Sequence, residues 1–292
     1  MHATHDLRVV EPSGCQARTL GVSGLISGRQ EPAADMQAAV AARLRDMYQD
    51  FNHHNKKNPL DELIFILGST RTPERSYRAT FHALKEKFPR FRDLAIADVE
   101  SIAEPLFYGG MYRQKARMLR DILELVTERF GRPTLAPLRR MDDAECERVL
   151  TSLPGVGKKI ARCVMMYSLG RQVFPVDTHC WRICRRLGWI KARGPGKRPS
   201  QKDMDRLEAL IRPELRFSLH VNMVSHGRAC CTALNPKCDR CVIADLCPKI
   251  GVSNVGIEIE GRAAKRNSAP HGGALKDGVQ VYTGSFGFPG PP

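Results

Sequence analysis

The stretch Leu153-Pro154-Gly155-Val156-Gly157-Lys158-Lys159-Ile160-Ala161 constrains this 292-residue chain more than any other. It follows a segment that Asp142 and Glu145 open as a helix, and it runs straight into a second apolar segment. Two glycines one residue apart permit positive φ and carry no Cβ to block an approaching ligand. The string therefore reads as a tight hairpin between two helices. Leu153 and Val156 turn inward, and the Gly155–Gly157 backbone turns outward. The free N–H groups of the second helix then point out beside Lys158, where an anion meets aligned donors and the positive end of a helix dipole. Gly155, Val156, Gly157 and Lys158 are thus a candidate phosphate grip.

Around the hairpin the apolar pattern is helical nearly everywhere. Thr72-Pro73-Glu74 reads as N-cap, N1 proline and first-turn acid, and Tyr77, Phe81, Leu84 and Phe88 then recur every three or four residues. Ala116, Leu119, Leu123, Val126 and Phe130 repeat the rhythm after the Gly109-Gly110 break. Ser200 and Asp203 have capping-box spacing. Nothing alternates with period two, so the chain is expected to be all-α, with about ten helices. Residues 1–35 and 251–292 lack periodicity, and the latter hold nine glycines and four prolines, so both are expected to be disordered extensions.

The formal charge of +15 lies wholly between these extensions, where 39 basic residues face 24 acidic ones. A folded body this basic suits a polyanion, with nucleic acid ahead of an anionic membrane surface. The loop 191–202, KARGPGKRPSQK, holds five basic side chains and no acid, and reads as a solvated connection or a phosphate contact. No apolar run approaches a membrane span, and the start MHATHDLRVV lacks the plan of a signal peptide, so an intracellular protein is expected.

Lys159 sits in the first turn of a helix beside Lys158. The neighbouring charge and the helix dipole both disfavour its ammonium form and are expected to lower its pKa, freeing an amine that can attack an electrophilic carbon such as a sugar C1′. Contact with phosphate is the alternative role. Asp177, in Phe174-Pro175-Val176-Asp177-Thr178-His179-Cys180, can cap a helix running from Cys180 to Leu187. It is also the kind of group that stabilises an oxocarbenium-like sugar during glycosidic cleavage.

Cys231, Cys238, Cys241 and Cys247 are spaced C-x6-C-x2-C-x5-C. Four thiolates so close can surround one metal centre. The single C-x2-C pair is unlike the paired knuckles of most zinc sites, and a [4Fe–4S] cubane is equally served by four cysteines. Cys230 breaks the spacing if used as first ligand. Cys15, Cys146, Cys163, Cys180 and Cys184 read as free thiols.

LPGVGKKIA, then VDTH, then HGR followed by C-x6-C-x2-C-x5-C, resembles the endonuclease III family of DNA repair glycosylases over roughly residues 36–250. The resemblance implies a two-domain all-α fold. A six-helix domain at 57–171 would carry the helix-hairpin-helix, residues 36–56 and 172–250 would form a [4Fe–4S] cluster domain, and DNA would lie across the cleft between them. It implies a monomer that acts on double-stranded DNA containing damaged or mispaired bases, in the cytoplasm or on the nucleoid. Lys159 stands where bifunctional members keep their nucleophile, Asp177 where the family keeps its catalytic carboxylate, and Cys231, Cys238, Cys241 and Cys247 where it keeps its cluster ligands. His179 would hold a phosphate, and Lys237 would reach the DNA backbone from the loop between the first two cluster cysteines.

One departure stands out. The family usually has a glutamine near the end of the second helix, and here the stretch is Leu67-Gly68-Ser69-Thr70-Arg71-Thr72, with Thr70 at that position and Arg71 next to it. The apolar wedge from the other side appears as Met111. The implied activity is removal of oxidised pyrimidines followed by a nick 3′ to the abasic site through β-elimination. A glycosylase for mispaired thymine, uracil or another modified base is the first alternative, and a non-catalytic DNA-binding protein the second.

Overall fold

The computed structural model describes residues 34–191 and 198–252. The extensions expected at 1–35 and 251–292 lie outside these residues, apart from Ala34–Asp35, which open the first helix, and Gly251–Val252; most of the basic loop at 191–202 lies outside them too. Eleven α-helices follow in order: α1 (Ala34–Tyr48), α2 (Pro59–Ser69), α3 (Glu74–Lys87), α4 (Phe91–Ile96), α5 (Val99–Ala103), α6 (Tyr112–Phe130), α7 (Asp143–Thr151), α8 (Lys158–Leu169), α9 (Thr178–Arg186), α10 (Gln201–Leu210) and α11 (Pro213–Ala229). Short 3₁₀ turns occupy Glu104–Gly109, Ala136–Arg140 and Cys238–Arg240. No strand occurs among the described residues, which confirms the all-α expectation. Nor is any helix among them long and apolar enough to cross a membrane.

Local chemistry explains most of the boundaries. Asn58 caps α2 by accepting from Leu60 N and Asp61 N, with Pro59 at N1. The Asp142 carboxylate accepts from Glu145 N at 2.7 Å and starts α7. Ser200 and Asp203 form the full capping box of α10. Gly131 and Gly170 end α6 and α8 in the left-handed region, at φ 72° and 68°. The start of α3 differs from expectation: its N-cap is Pro73, with no side-chain cap. Thr72 is missing from that role because its hydroxyl donates to Gly109 O at 2.5 Å, 37 residues away in sequence.

The helices bury two apolar clusters. One gathers Leu63 and Phe65 of α2, Phe81 of α3, Leu119 and Leu123 of α6, and Val164 of α8. The other joins Val40 and Leu44 of α1 to Trp181 and Ile183 of α9, Leu207 of α10 and Met223 of α11. The chain crosses from the first cluster to the second between Val173 and Phe174. Fully burying a leucine-sized side chain contributes about 1.5–3 kcal/mol, so each cluster is a core in its own right.

Glu62 of α2 is fully buried in the first core region, where it accepts from Asn55 Nδ2 at 2.6 Å and Lys56 N at 2.5 Å. Burial outweighs these donors and pushes its pKa from 4.5 up to about 7. Below about pH 4.5 the carboxyl is protonated whether the chain is folded or not. As pH rises from 4.5 to 7 the unfolded chain ionises first, so this group lowers stability, by roughly 3 kcal/mol at about 1.4 kcal/mol per pKa unit, and the loss is complete above pH 7. Glu62→Gln is expected to remove that part of the fall in urea-unfolding free energy between pH 4.5 and 7.5. An unchanged pH profile would exclude Glu62 as its source.

Candidate active site and metal centre

Helices α7 and α8 meet at the hairpin, with Leu153 and Val156 6% and 5% exposed. Gly155 has φ +72°, so the backbone favours glycine there, and a Cβ would also lie 2.2 Å from Met118 Sδ and require that flexible side chain to move. Gly157 is different: it caps α8 with φ −86°, exposed and with nothing near a would-be Cβ. Lys158 does not project freely toward solvent. Its Nζ lies 2.8 Å from Asp205 Oδ1 and 3.2 Å from Glu147 Oε1. Next to it Arg162 reaches Glu147 at 2.7 Å, Asp205 at 2.6 Å and Glu208 at 3.1 Å, so α8 is bound to both α7 and α10 by ion pairs.

Lys159 leaves the first turn of α8 half-buried and faces Cys163, one turn further along the same helix. Asp177 comes from the second core region, where it is the N-cap of α9 and accepts from Cys180 N at 2.7 Å. The two side chains feel each other's charge. The Lys159 ammonium is held above its ordinary range by the Cys163 sulfur first and then, against burial, by the Asp177 carboxylate; because burial pushes the Cys163 thiol up to about 11, Asp177 is the partner that is charged near pH 7. This corrects the expected lowering. That expectation counted Lys158 as an uncompensated neighbour, whereas Glu147 and Asp205 neutralise it, and it had no view of Cys163 and Asp177. Burial pushes the Asp177 carboxyl up, but His220, the Cys180 N–H, His179 and Lys159 together hold it below the usual range. His220 is itself neutral near pH 7, its pKa pushed down to about 4 by burial. At that pH the hydrogen bond from Cys180 and the Lys159 charge therefore matter most. Around this pair stand the Tyr167 ring, 5.8 Å from the His220 ring, and Cys180 Sγ, 3.5 Å from His220 Nδ1.

His179 is half-buried on the first turn of α9 and lies against Gly227 of α11, where a Cβ would come within 2.6 Å of it. Arg182 Nη2 reaches His179 Nδ1 at 3.0 Å and Gly227 O at 2.9 Å, so the ring is fixed by its neighbours. Lys237 is exposed, with Nζ 3.3 Å from Ala229 O.

Thr70 and Arg71 lie exposed in the loop after α2, and Met111, 46% exposed, precedes α6. Arg71 and Met111 are both left-handed, at φ 53° and 50°, which costs a non-glycine residue roughly 1–2 kcal/mol. A buried lysine joins the two loops. Lys115 Nζ donates to Gly68 O at 2.8 Å, Thr72 Oγ1 at 2.6 Å and Gly109 O at 2.9 Å. No carboxylate is among these partners, and burial lowers its pKa. The sequence held a sign of it: Lys115 falls on the same face of α6 as Leu119, Ile122 and Val126. Lys115→Met would leave the half-buried Gly68 carbonyl without its lysine donor and the buried Gly109 carbonyl with the Thr72 hydroxyl alone. A loss of about 1–3 kcal/mol in chemical unfolding is expected, and an unchanged midpoint would rule out the brace.

Near the C-terminal end of the described residues, Cys231, Cys238, Cys241 and Cys247 line one pocket, together with Cys230 and His226. Its donor set suits a thiolate-ligated cluster. Arg186 Nη1 donates to Cys231 Sγ at 3.0 Å, and Lys249 N approaches Cys247 Sγ at 3.4 Å, so donors already point at the sulfurs. Sequence spacing left Cys230 outside. The structure brings its sulfur, with those of His226 and Cys241 as nitrogen and sulfur donors, within 4.8 Å of one another.

The sequence model of the HhH-GPD superfamily base excision DNA repair proteins matches residues 66–210, and that of the iron-sulfur binding domain of endonuclease III matches residues 231–247. The second match begins at Cys231 and ends at Cys247, leaving Cys230 out. Endonuclease III of Thermotoga maritima is 31% identical over 195 residues, covering 67% of this chain and 85% of that protein. Endonuclease III of Synechocystis is 32% identical over 190 residues, covering 64% and 80%. Among solved structures, a non-covalent endonuclease III–DNA complex superposes with a TM-score of 0.63 at 24% identity, covering 74% of this chain and 95% of that one. A thermostable thymine-DNA glycosylase gives a TM-score of 0.63 at 19% identity, covering 73% and 95%. These likenesses extend the shared fold across both apolar clusters. With the hairpin, the carboxylate cap of α9 and the cysteine-lined cavity all in place, the chain belongs to the endonuclease III family of base-excision DNA repair glycosylases and carries that family's [4Fe–4S] segment.

Proposed function

We propose that this glycosylase is bifunctional: it removes oxidised pyrimidines from duplex DNA and then cleaves the strand 3′ to the abasic site. What supports the reading is the pairing of an amine and a carboxylate from separate cores. Lys159 on α8 and Asp177 at the cap of α9 perturb each other's protonation next to the α7–α8 hairpin. In this reading the protein acts as a monomer. Residues 57–171 form the helix-hairpin-helix domain, and 36–56 with 172–250 form the cluster domain.

The reaction begins with extrusion of the damaged nucleotide from the stack. The backbone of Gly155, Val156 and Gly157, with both glycines exposed, holds a phosphate at the start of α8. Lys159 must first lose its proton, which its raised pKa makes a distinct step, and in this reading Asp177 assists that transfer. The free amine attacks C1′ as the base departs, and the Asp177 environment stabilises the cationic sugar. The ring-opened sugar then carries an imine to Lys159 Nζ. Loss of a C2′ proton and rupture of the C3′–O bond complete the β-elimination. His179 and Lys237 contact the backbone, while Thr70, Arg71 and Met111 enter the duplex where the nucleotide has left. Cys231, Cys238, Cys241 and Cys247 would hold the [4Fe–4S] cluster, which supplies iron–thiolate cross-links and a redox centre away from the reacting sugar.

A second reading has a specific observation in its favour. Thr70 is a short side chain at a loop that must report on the opposite strand, so a mispaired thymine or uracil is the alternative substrate. Duplexes bearing thymine glycol, dihydrouracil, G·T, G·U or an abasic site, incubated with borohydride, separate the two. Covalent trapping on the oxidised bases is expected and should vanish in Lys159→Ala. Asp177→Asn should lower turnover by about 10²–10³. Trapping confined to G·T and G·U would favour the second reading, and duplex binding with no trapping anywhere would remove the lyase step.

The metal centre has its own readout. The purified protein should be brown, its visible absorption should bleach on reduction, and loss of iron should lower the melting temperature. A colourless preparation with one zinc per chain would replace the cluster assignment.

A further inference from the structure

The turn Glu104–Gly109 ends in two aromatic residues that the protein does not bury. Tyr108 is 79% exposed and Phe107 56% exposed, and Met111 follows at 46%. Single exposed apolar side chains are ordinary, but three within five residues form a patch. Their arrangement is ordered. Phe107 meets Tyr108 edge-on at 5.3 Å and Tyr112 at 5.1 Å, so one ring props the other two. The Arg113 guanidinium lies 5.4 Å over the Tyr112 ring and 3.3 Å from Glu100, and exposed Arg71 stands in the loop that Thr72 and Lys115 fasten to Gly109. The result is a rim of rings with cationic flanks, mounted on a backbone that a buried lysine keeps from shifting.

Two features indicate what covers this rim. The flanking guanidinium groups suit an anionic chain, and the rings suit flat π-faces carried on it. Extruding a nucleotide leaves one such face without its pair. The loop after α2 can offer that base the short Thr70 hydroxyl and the Arg71 guanidinium, which donates but does not accept, so the donors and acceptors along its edge are only partly matched. Stacking is well served.

We propose that Tyr108, propped by Phe107, is the stacking surface for the base left unpaired opposite the extruded nucleotide. The inference rests on the reading that Met111 enters the duplex. It assigns the grip on the opposite strand to a contact that every base can make, so discrimination among opposite bases is weak.

Duplexes carrying the stable tetrahydrofuran analogue of an abasic site test it, with each natural base or 2-aminopurine opposite, and an undamaged duplex as control. The wild-type protein should bind the analogue with near-equal affinity whichever base lies opposite, and should quench 2-aminopurine. Tyr108→Ala should weaken analogue binding by about 5- to 150-fold, the worth of one stacked base, and should restore the fluorescence. Tyr108→Phe should keep both properties, and binding to undamaged duplex should be alike in all three proteins. Unchanged affinity and quenching in Tyr108→Ala, alongside wild-type borohydride trapping, would overturn the assignment and leave the glycosylase reading intact. A steep preference for one opposite base would also overturn it, by pointing to hydrogen-bonded readout. If the wild-type protein itself neither binds the analogue nor is trapped, the glycosylase reading falls and takes this one with it.

Discussion

Glu208 and the arginine it meets are the constraint on which the site depends. Arg162 lies three residues after Lys159, and its Nε reaches both Glu147 of α7 and Glu208 of α10. The same Glu208 carboxylate accepts from Phe174 N at 2.9 Å, three residues before Asp177. One acid thus fixes the helix that carries the amine and the segment that carries the carboxylate, although the two belong to different apolar clusters. Arg162 is 5% exposed and ion-paired with Glu147, Asp205 and Glu208, and the cost of taking such charges out of water offsets most of what their attraction contributes. The pairing is therefore better understood as specifying where α8 sits against α10 than as a source of net stability.

What the sequence revealed and what it hid divide along one line. Chemistry between residues close in the chain was legible: the Asp142 and Asp177 caps, the Ser200–Asp203 box, the inward Leu153 and Val156, and the four-cysteine spacing. Each depends on offsets of a few residues that helix geometry fixes. Chemistry between distant residues was not. Thr72 has the look of a cap but gives its hydroxyl to Gly109. Lys158 and Lys159 looked alike as adjacent cations, yet one is neutralised by Glu147 and Asp205 and the other faces Cys163 and Asp177. Cys163 lies one turn along the same helix and was within reach of helix geometry, but the Glu147, Asp177 and Asp205 carboxylates lie well beyond one helical turn, and the string alone does not bring them to the two lysines.

The two left-handed residues, Arg71 and Met111, belong to the same logic. Strained backbone persists only where its surroundings over-determine it. Here the surroundings are Lys115 and its three acceptors, which bind the loop after α2 to the loop before α6. A lysine with neutral partners alone is a costly device, and it places both strained residues at the same exposed edge. Rigidity at that edge lowers the conformational entropy lost when the loops meet a ligand, which is the usual benefit of preorganisation.

The engagement of Lys158 bears on how the protein senses ionic strength. A lysine that meets DNA from open solvent displaces condensed cations, and each such contact steepens the decline of affinity with salt. Lys158 already has two carboxylates within 3.2 Å. In the reading proposed above, a phosphate arriving there would meet a cluster in which Lys158 and Arg162 already face Glu147, Asp205 and Glu208, so Lys158 would add little to the net positive charge the duplex encounters. The hairpin's hold on phosphate would then fall to its backbone N–H groups, which are dipoles without counterions of their own. On that reading binding at the hairpin is buffered against salt, and the steep salt dependence belongs to exposed arginines elsewhere on the surface.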